Sequence, residues 1–140
     1  MTTENSKDSA WLEQVGLGQQ WEWKNGSWWS TPADFDLRAN TEKMLALGAR
    51  FVAITAMETG TSPIRLDYQW DLRGQLLSFI MLPESRVAAT IADLTPAADW
   101  AERETHEYFA VEFTGRRHTR PLMTRAGDAV GIHLRQEAAQ

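Results

Sequence analysis

The run from Ile64 to Leu72 constrains the fold more than any other stretch of the sequence. Its apolar residues fall at every second position with polar residues between them, which is the period of a half-buried β-strand. The mostly apolar run Arg50–Met57 precedes it, and Gln75–Leu82 follows after a short turn at Arg73-Gly74. The two later runs predict an antiparallel hairpin. Strands that cluster in this way, rather than alternating with helices, favour an α+β fold.

Helical patterns flank these strands. Thr31-Pro32 with Asp34 two residues later favours a helix start and predicts a helix over 33–47, which ends near Gly48. A second helix is predicted over 97–109, whereas residues 86–94 fit either a fourth strand or a short helix. The predicted class is therefore α+β, with an antiparallel or mixed sheet of three to four strands and two main helices packed on it.

The N-terminal part holds most of the seven tryptophans of the 140-residue chain. Residues 21–29 alternate around Asn25-Gly26, a dipeptide that accepts positive φ at both turn positions and predicts an N-terminal Trp-rich hairpin. Its aromatic residues either cover the core or form an exposed patch that docks a partner. We expect residues 1–10 to be disordered, residues 11–125 to form a single domain and residues 126–140 to form a C-terminal tail.

The composition excludes several kinds of chemistry. The chain has no cysteine, which rules out disulfides, cysteine-ligated zinc and cysteine-ligated iron–sulfur clusters. No run of about 18 apolar residues exists, and the polar N-terminus lacks a signal-peptide core, so the expected compartment is the cytoplasm. The net charge of −5 divides into −8 over residues 1–113 and +3 over residues 114–140. All basic residues of that last part are arginines, which suit fixed ion pairs and protein interfaces, and we do not expect nucleic-acid binding.

The helix predicted over 97–109 holds an acidic residue in an unexpected place. Helical periodicity predicts a buried stripe around Ala97, Trp100, Ala101 and Tyr108, and Glu104 falls inside that stripe. Asp99, Arg103 and Glu107 would lie on the outer side and could form intrahelical ion pairs. A carboxylate in an apolar stripe needs a cation or backbone donors, and Arg117 and Arg120 are the candidate partners. The alternative is an acid with a raised pKa that works as a functional group.

Other candidate chemistry is sparse. Glu102 and His106 lie four residues apart, and His118 or His133 could complete a zinc site, but the HExxH pattern is absent. No phosphate-binding loop, nucleophile elbow or Ser/His/Asp pattern is present. The residues and their spacing alone therefore indicate no catalytic centre.

The segment LTPAADWAERETHEYFAV, from Leu94 to Val111, resembles the signature of the 30-kDa subunit family of respiratory NADH dehydrogenase, complex I. Related subunits occur in membrane-bound [NiFe] hydrogenases and formate hydrogenlyases. The matching positions are Trp100, Glu102, Arg103, Glu104, Phe109, Phe113 and Gly115, with Glu107 at an aspartate position and Val111 at an isoleucine position. Ala110 stands where the pattern has glycine, and Arg116-Arg117-His118-Thr119-Arg120-Pro121 replaces a His-Pro-Asp-x-Arg sequence.

The resemblance implies a hydrophilic accessory subunit without a catalytic site, cofactor or metal of its own. It would dock on a large subunit related to the [NiFe] hydrogenase large subunit, and would be held on the inner face of the cell membrane through the complex. We expect Glu102, Arg103 and Glu104 to hold the helix and its loop by ion pairs, and Arg116, Arg117 and Arg120 to contact the partner. The alternative is a small stand-alone enzyme or ligand-binding domain that uses Glu104 and His106.

Overall fold

The computed structural model describes residues 10–18, 20–60, 64–116, 121–125, 127–132 and 134. The elements, in chain order, are α1 (Ala10–Gln14), β1 (Glu22–Lys24), β2 (Ser27–Ser30), α2 (Leu37–Ala46), β3 (Arg50–Met57), β4 (Arg65–Leu72), β5 (Gln75–Met81), a 3₁₀ turn (Glu84–Arg86), β6 (Val87–Ala89), α3 (Ala98–Phe109) and β7 (Glu112–Thr114). The predicted α+β class is confirmed.

The main sheet has five strands in the order β1-β2-β5-β4-β3. The pair β4–β5 is antiparallel, as the sequence predicts; β3–β4 is antiparallel too, and β2 pairs with β5 in parallel. The sheet is wider than the three to four strands expected because β2 adds the N-terminal hairpin to it. Side chains from four of these five strands, among them Trp28, Phe51, Tyr68 and Phe79, form much of the buried core.

Strands β1 and β2 pair antiparallel around Asn25 and Gly26, whose φ angles are 53° and 79°. Trp23 and Trp28 face each other across this pair, with ring centroids 5.2 Å apart. Trp28 is buried, and its indole N–H donates to the side-chain oxygen of Gln75 on β5. This part of the aromatic cluster therefore covers the core.

Helix α2 begins at Leu37, later than the predicted start at residue 33. The side chain of Asp36 caps the helix, since its Oδ1 accepts from the backbone N–H of Ala39 at 3.0 Å. Asp34 has a φ of 49°, in the left-handed region, which prevents a right-handed helix from extending through it. The motif at Thr31-Pro32 is thus part of the loop before the helix, and the predicted start there was wrong.

The segment predicted as a fourth strand or a short helix forms only the three-residue strand β6. It pairs in parallel with β7, so that these two strands form a separate small sheet beside α3. Helix α3 packs against β3 of the main sheet, and its observed start at Ala98 is one residue after the predicted one. The connection between β6 and α3 brings Thr90 and Ile91 next to the helix.

Candidate functional site

The carboxylate of Glu102 lies on the inner face of α3 and is completely buried. Its Oε1 accepts from the hydroxyl of Thr90 at 2.6 Å, and its Oε2 accepts from the backbone N–H of Ile91 at 2.7 Å. Buried carboxylates are tolerated only where donors or cations replace the lost water. Glu102 thereby joins the β6–α3 connection to the middle of the helix.

Arg116 supplies the cation for this buried acid. Its Nη1 donates to Oε1 of Glu102 at 2.8 Å, and its Nη2 donates to Oδ1 of Asp99 at 2.6 Å. Burial acts to lower the pKa of Arg116, but the hydrogen bonds to the two carboxylates outweigh burial and raise it. The side chain is only 9% exposed, so the geometry gives Arg116 an internal role instead of the free cation that the interface prediction requires. Arg117 and Arg120 lie outside the described residues.

Glu107 is also buried, although helical periodicity predicts it on the outer side of α3. Its carboxylate accepts hydrogen bonds from the backbone N–H groups of Leu122, Met123 and Thr124, at 2.7–3.2 Å, and from the hydroxyl of Thr124 at 2.5 Å. Burial acts to raise the pKa of Glu107, but these hydrogen bonds prevail and lower it to about 2. The chain that returns after β7 therefore covers the outer side of the helix at this point.

Two further contacts fasten the returning chain to α3. Arg103 donates from Nη2 to the carbonyl oxygen of Pro121 at 3.0 Å and lies 3.6 Å from the carboxylate of Asp99. The backbone N–H of Gly131 donates to the carbonyl oxygen of Glu107 at 2.6 Å. Part of the segment predicted as a C-terminal tail is thus in contact with the helix.

The predicted position of Glu104 in a buried stripe was wrong. Glu104 is exposed, and so is Trp100, with 59% of its surface accessible. The buried residues of α3 are instead Ala98, Glu102, Thr105 and Glu107. Sequence periodicity assigns the apolar side of a helix to the core. Here the inward side of α3 carries Glu102, which Arg116 neutralises, and the outward side carries Trp100.

Three apolar residues on α3 and on the chain that returns to it are exposed, and we call them the α3 outer surface: Trp100, Met123 and Ile132. The backbone N–H of Met123 donates to the carboxylate of Glu107, and the backbone N–H of Ile132 donates to the carbonyl oxygen of the same residue. Trp100 precedes Glu107 by seven residues, which places it on nearly the same side of the helix and about 10 Å away along the axis. Trp100 and the backbone of the two other residues therefore lie along the side of α3 that the returning chain follows.

The other residues of the signature shape the end of the helix. Ala110, after Phe109, caps α3 in the left-handed conformation with a φ of 57°. Gly115 has a φ of 91°, and a Cβ atom there would lie 3.2 Å from the Thr90 side chain. A residue larger than glycine at position 115 would therefore strain the approach of Arg116 to Glu102.

His106 does not join a cluster of metal-binding type in the described part of the chain. Its Nδ1 lies 2.9 Å from the carbonyl oxygen of Val111 and 3.7 Å from Oε1 of Glu112. Across the described ranges no group of three or more His, Cys, Asp or Glu side chains is placed to hold a metal ion. His118 and His133, the remaining candidates from the sequence, lie outside those ranges.

Three surface cavities lie at the start of α2, at the N-terminal hairpin and beside the β5–β6 region, with volumes of about 540, 630 and 430 Å³ respectively. Neither Glu104 nor His106 lines any of them, so these cavities give no support to a ligand site built on that pair. The 540 Å³ cavity is lined by Ser30 and Asn40, whose buried Oγ and Nδ2 atoms find no hydrogen-bond partner in the described structure.

The fold and these contacts define a small α+β domain whose signature residues fasten one helix and the chain after it to a mixed sheet. Among the described residues no helix is both long and apolar enough to cross a bilayer.

The sequence profile of the 30-kDa subunit of respiratory-chain NADH dehydrogenase matches residues 41–139, and the chain belongs to this family. It is therefore an accessory subunit of an oxidoreductase complex, with other subunits of that complex as its partners. Among solved structures, the fold is similar to a trypsin-resistant fragment of Nqo5, with a TM-score of 0.62 at 17% sequence identity. That match covers 79% of this chain and 97% of the fragment. No curated protein sequence matches the chain.

Proposed function

We propose that the chain docks through the α3 outer surface onto a large subunit related to the [NiFe] hydrogenase large subunit. The complex would be a complex I-like NADH:quinone oxidoreductase or a membrane-bound [NiFe] hydrogenase. In this role the chain has no catalytic site and carries no cofactor. It stays on the inner face of the cell membrane only through the assembled complex.

The observation that carries the proposal is the exposure of Trp100 within the signature helix. Tryptophan is among the residues most enriched at the centres of protein interfaces, because one side chain buries a large area at a low entropy cost. An exposed apolar patch on a small domain commonly marks a site where a partner binds. Met123 and Ile132 are the other exposed apolar residues of the α3 outer surface, and Glu104 lies one turn from Trp100.

The internal ion pairs support the same assignment. Arg116 is paired with Asp99 and Glu102 through its two Nη atoms, and the carboxylate of Glu107 accepts from backbone donors. These charges therefore need no partner subunit, and the apolar side chains are what the surface offers for docking. The centres of protein interfaces are likewise depleted of charged residues relative to the rest of the protein surface. Arg117 and Arg120, which lie outside the described residues, supply the predicted basic part of the contact.

Co-expression tests this function. The chain is produced together with the affinity-tagged hydrogenase-like large subunit encoded in the same genome, and the tagged subunit is purified. We expect the chain to co-purify in a stoichiometric ratio that survives gel filtration. Failure of the chain to co-purify, when it is folded by circular dichroism and both subunits are present in the lysate, would contradict the proposed docking.

A further inference from the structure

The chain that returns to α3 after β7 lies on the helix as a strap, which we define as residues 121–132 and call the α3 strap. It contains Met123 and Ile132 of the α3 outer surface. Among its described residues, which are all but residue 126, none is buried: three are partly exposed and the others are exposed. Burial of apolar side chains therefore contributes little to the attachment of the strap, and its polar contacts with α3 become decisive.

Most of the polar contacts described between α3 and the strap are made by one residue, Glu107. Its carboxylate accepts from the backbone N–H groups of residues 122–124 and from the hydroxyl of Thr124. Its carbonyl oxygen accepts from the backbone N–H groups of Gly131 and Ile132, at 2.6 and 3.4 Å. The two ends of the strap are thus fastened to the same residue.

The position of Glu107 in the last turn of α3 explains this double role. The helix ends at Phe109, so the N–H group that would normally bond to the carbonyl oxygen of Glu107 lies beyond the helix. The far end of the strap supplies donors to that oxygen, while the near end binds the side chain. Without the carboxylate contacts, the far end would be left on two backbone hydrogen bonds at a partly exposed site, which hold a chain segment only weakly.

We propose that the α3 strap opens and closes as a single unit with Glu107 as its anchor, and that the large subunit binds only the form in which the strap is closed. In the closed form, Met123 and Ile132 are held at α3 by their backbone N–H groups, on nearly the same side of the helix as Trp100. Glu107 is itself buried, so it acts as a positioning residue for the side chains that meet the partner. The second half of this inference rests on the proposed function, and the first half does not.

Amide hydrogen exchange, measured by NMR on the full chain, tests whether the strap is one unit. We expect the N–H groups of residues 122–124, Gly131 and Ile132 to share one protection factor within about threefold, below the protection of β4 and β5, because the strap opens without unfolding of the sheet. In Glu107→Ala all five should lose protection by at least about tenfold, although the carbonyl oxygen that binds Gly131 and Ile132 is kept. Wild-type exchange of these last two groups in Glu107→Ala would overturn the proposal.

Docking of the same variants onto the large subunit, measured by surface plasmon resonance, tests the second half. The apparent affinity should fall with the fraction of chains in which the strap is closed, so Glu107→Ala should bind at least about tenfold more weakly, with Glu107→Gln between it and the wild type. The control is Met44→Ala, which removes a buried side chain of α2, loosens the core and should dock as the wild type does when it is folded by circular dichroism. Undiminished affinity of Glu107→Ala with an open strap would overturn this half.

The two measurements separate the inference from the proposed function. If the wild type does not dock, the proposed function fails, and the exchange rates still confirm or refute the strap as a unit. If Glu107→Ala does not fold, Glu107→Gln takes its place in both measurements, because the glutamine side chain keeps the size of glutamate. It should then lose protection by at least about threefold at all five N–H groups, and loss confined to residues 122–124 would overturn the proposal.

Discussion

Arg116 and Glu102 form an ion pair inside the domain, with 2.8 Å between Nη1 of the arginine and Oε1 of the glutamate. Glu102 is fully buried and the Arg116 side chain is 9% exposed. The pair joins the chain just after β7 to the middle of α3, and Asp99 completes it from one turn earlier. Glu102, a residue of the family signature, thus stabilises the domain itself. The outward side of α3 is left for a partner.

Removing the cation should destabilise the domain strongly. In Arg116→Met the carboxylate of Glu102 stays buried, and Thr90 and Ile91 are its remaining described donors. We therefore expect the free energy of unfolding to fall by about 3–5 kcal/mol in urea denaturation. The control is Arg50→Met, which breaks an ion pair with Asp71 at a side chain that is 71% exposed, and it should cost less than about 1 kcal/mol. Equal effects of the two substitutions would show that the buried pair is not a major source of stability.

Stability should depend on pH through Glu107. Its folded-state pKa of about 2 lies below the ordinary value of 4.5, so its contribution is fully present above about pH 4.5 and is lost as the pH falls toward 2. Glu107→Gln should lower the free energy of unfolding at pH 7 by about 1–3 kcal/mol and reduce its slope between about pH 5 and 2. Glu104→Gln, at an exposed position, serves as the control and should leave that slope unchanged. If Glu107→Gln keeps the wild-type dependence of the free energy of unfolding on pH, groups other than Glu107 cause the loss of stability in acid.

Docking should depend on Trp100 much more than folding does. Because 59% of its surface is accessible, Trp100→Ala is expected to change the free energy of unfolding by less than about 1 kcal/mol. The same substitution should weaken binding to the large subunit by at least about 2 kcal/mol, or roughly 30-fold, as measured by calorimetry or surface plasmon resonance. Leu82→Ala, at another exposed apolar residue, provides the matched control. Loss of binding in both variants to the same degree would place the interface elsewhere.

The end of α3 should become more stable when its capping residue is replaced by glycine. Ala110 has a φ of 57°, a conformation that costs an alanine energy because its Cβ atom crowds the backbone. Ala110→Gly should raise the free energy of unfolding by about 0.5–1 kcal/mol, since relief of this strain exceeds the entropy that glycine adds to the unfolded chain. The control, Ala46→Gly in the last turn of α2, should lower it by about as much. A destabilised Ala110→Gly would mean that contacts of the methyl group outweigh the strain.

The main features of the sheet followed from local patterns. The alternation in Ile64–Leu72 and the short turn at Arg73-Gly74 predict β4, β5 and their antiparallel pairing, because side-chain period and turn geometry are properties of neighbouring residues. The signature at 94–121 likewise indicates the family, which is confirmed. The start of α2 was missed, since the choice between Thr31 and Asp36 as the cap depends on the backbone at Asp34.

The orientation of α3 depends on contacts that no local pattern contains. Periodicity predicted Trp100 and Glu104 inside, because it assumes that apolar residues face the core. Arg116, fourteen residues after Glu102, reverses that assumption by neutralising an acid on the inner side. Glu107 is buried for a related reason, since the chain at 122–124 returns and places its N–H groups against the carboxylate. Neighbouring residues therefore specified strands β3 to β5, the presence of α2 and α3 and the family, whereas contacts between residues distant in sequence determined which acids are buried and which tryptophan faces outward.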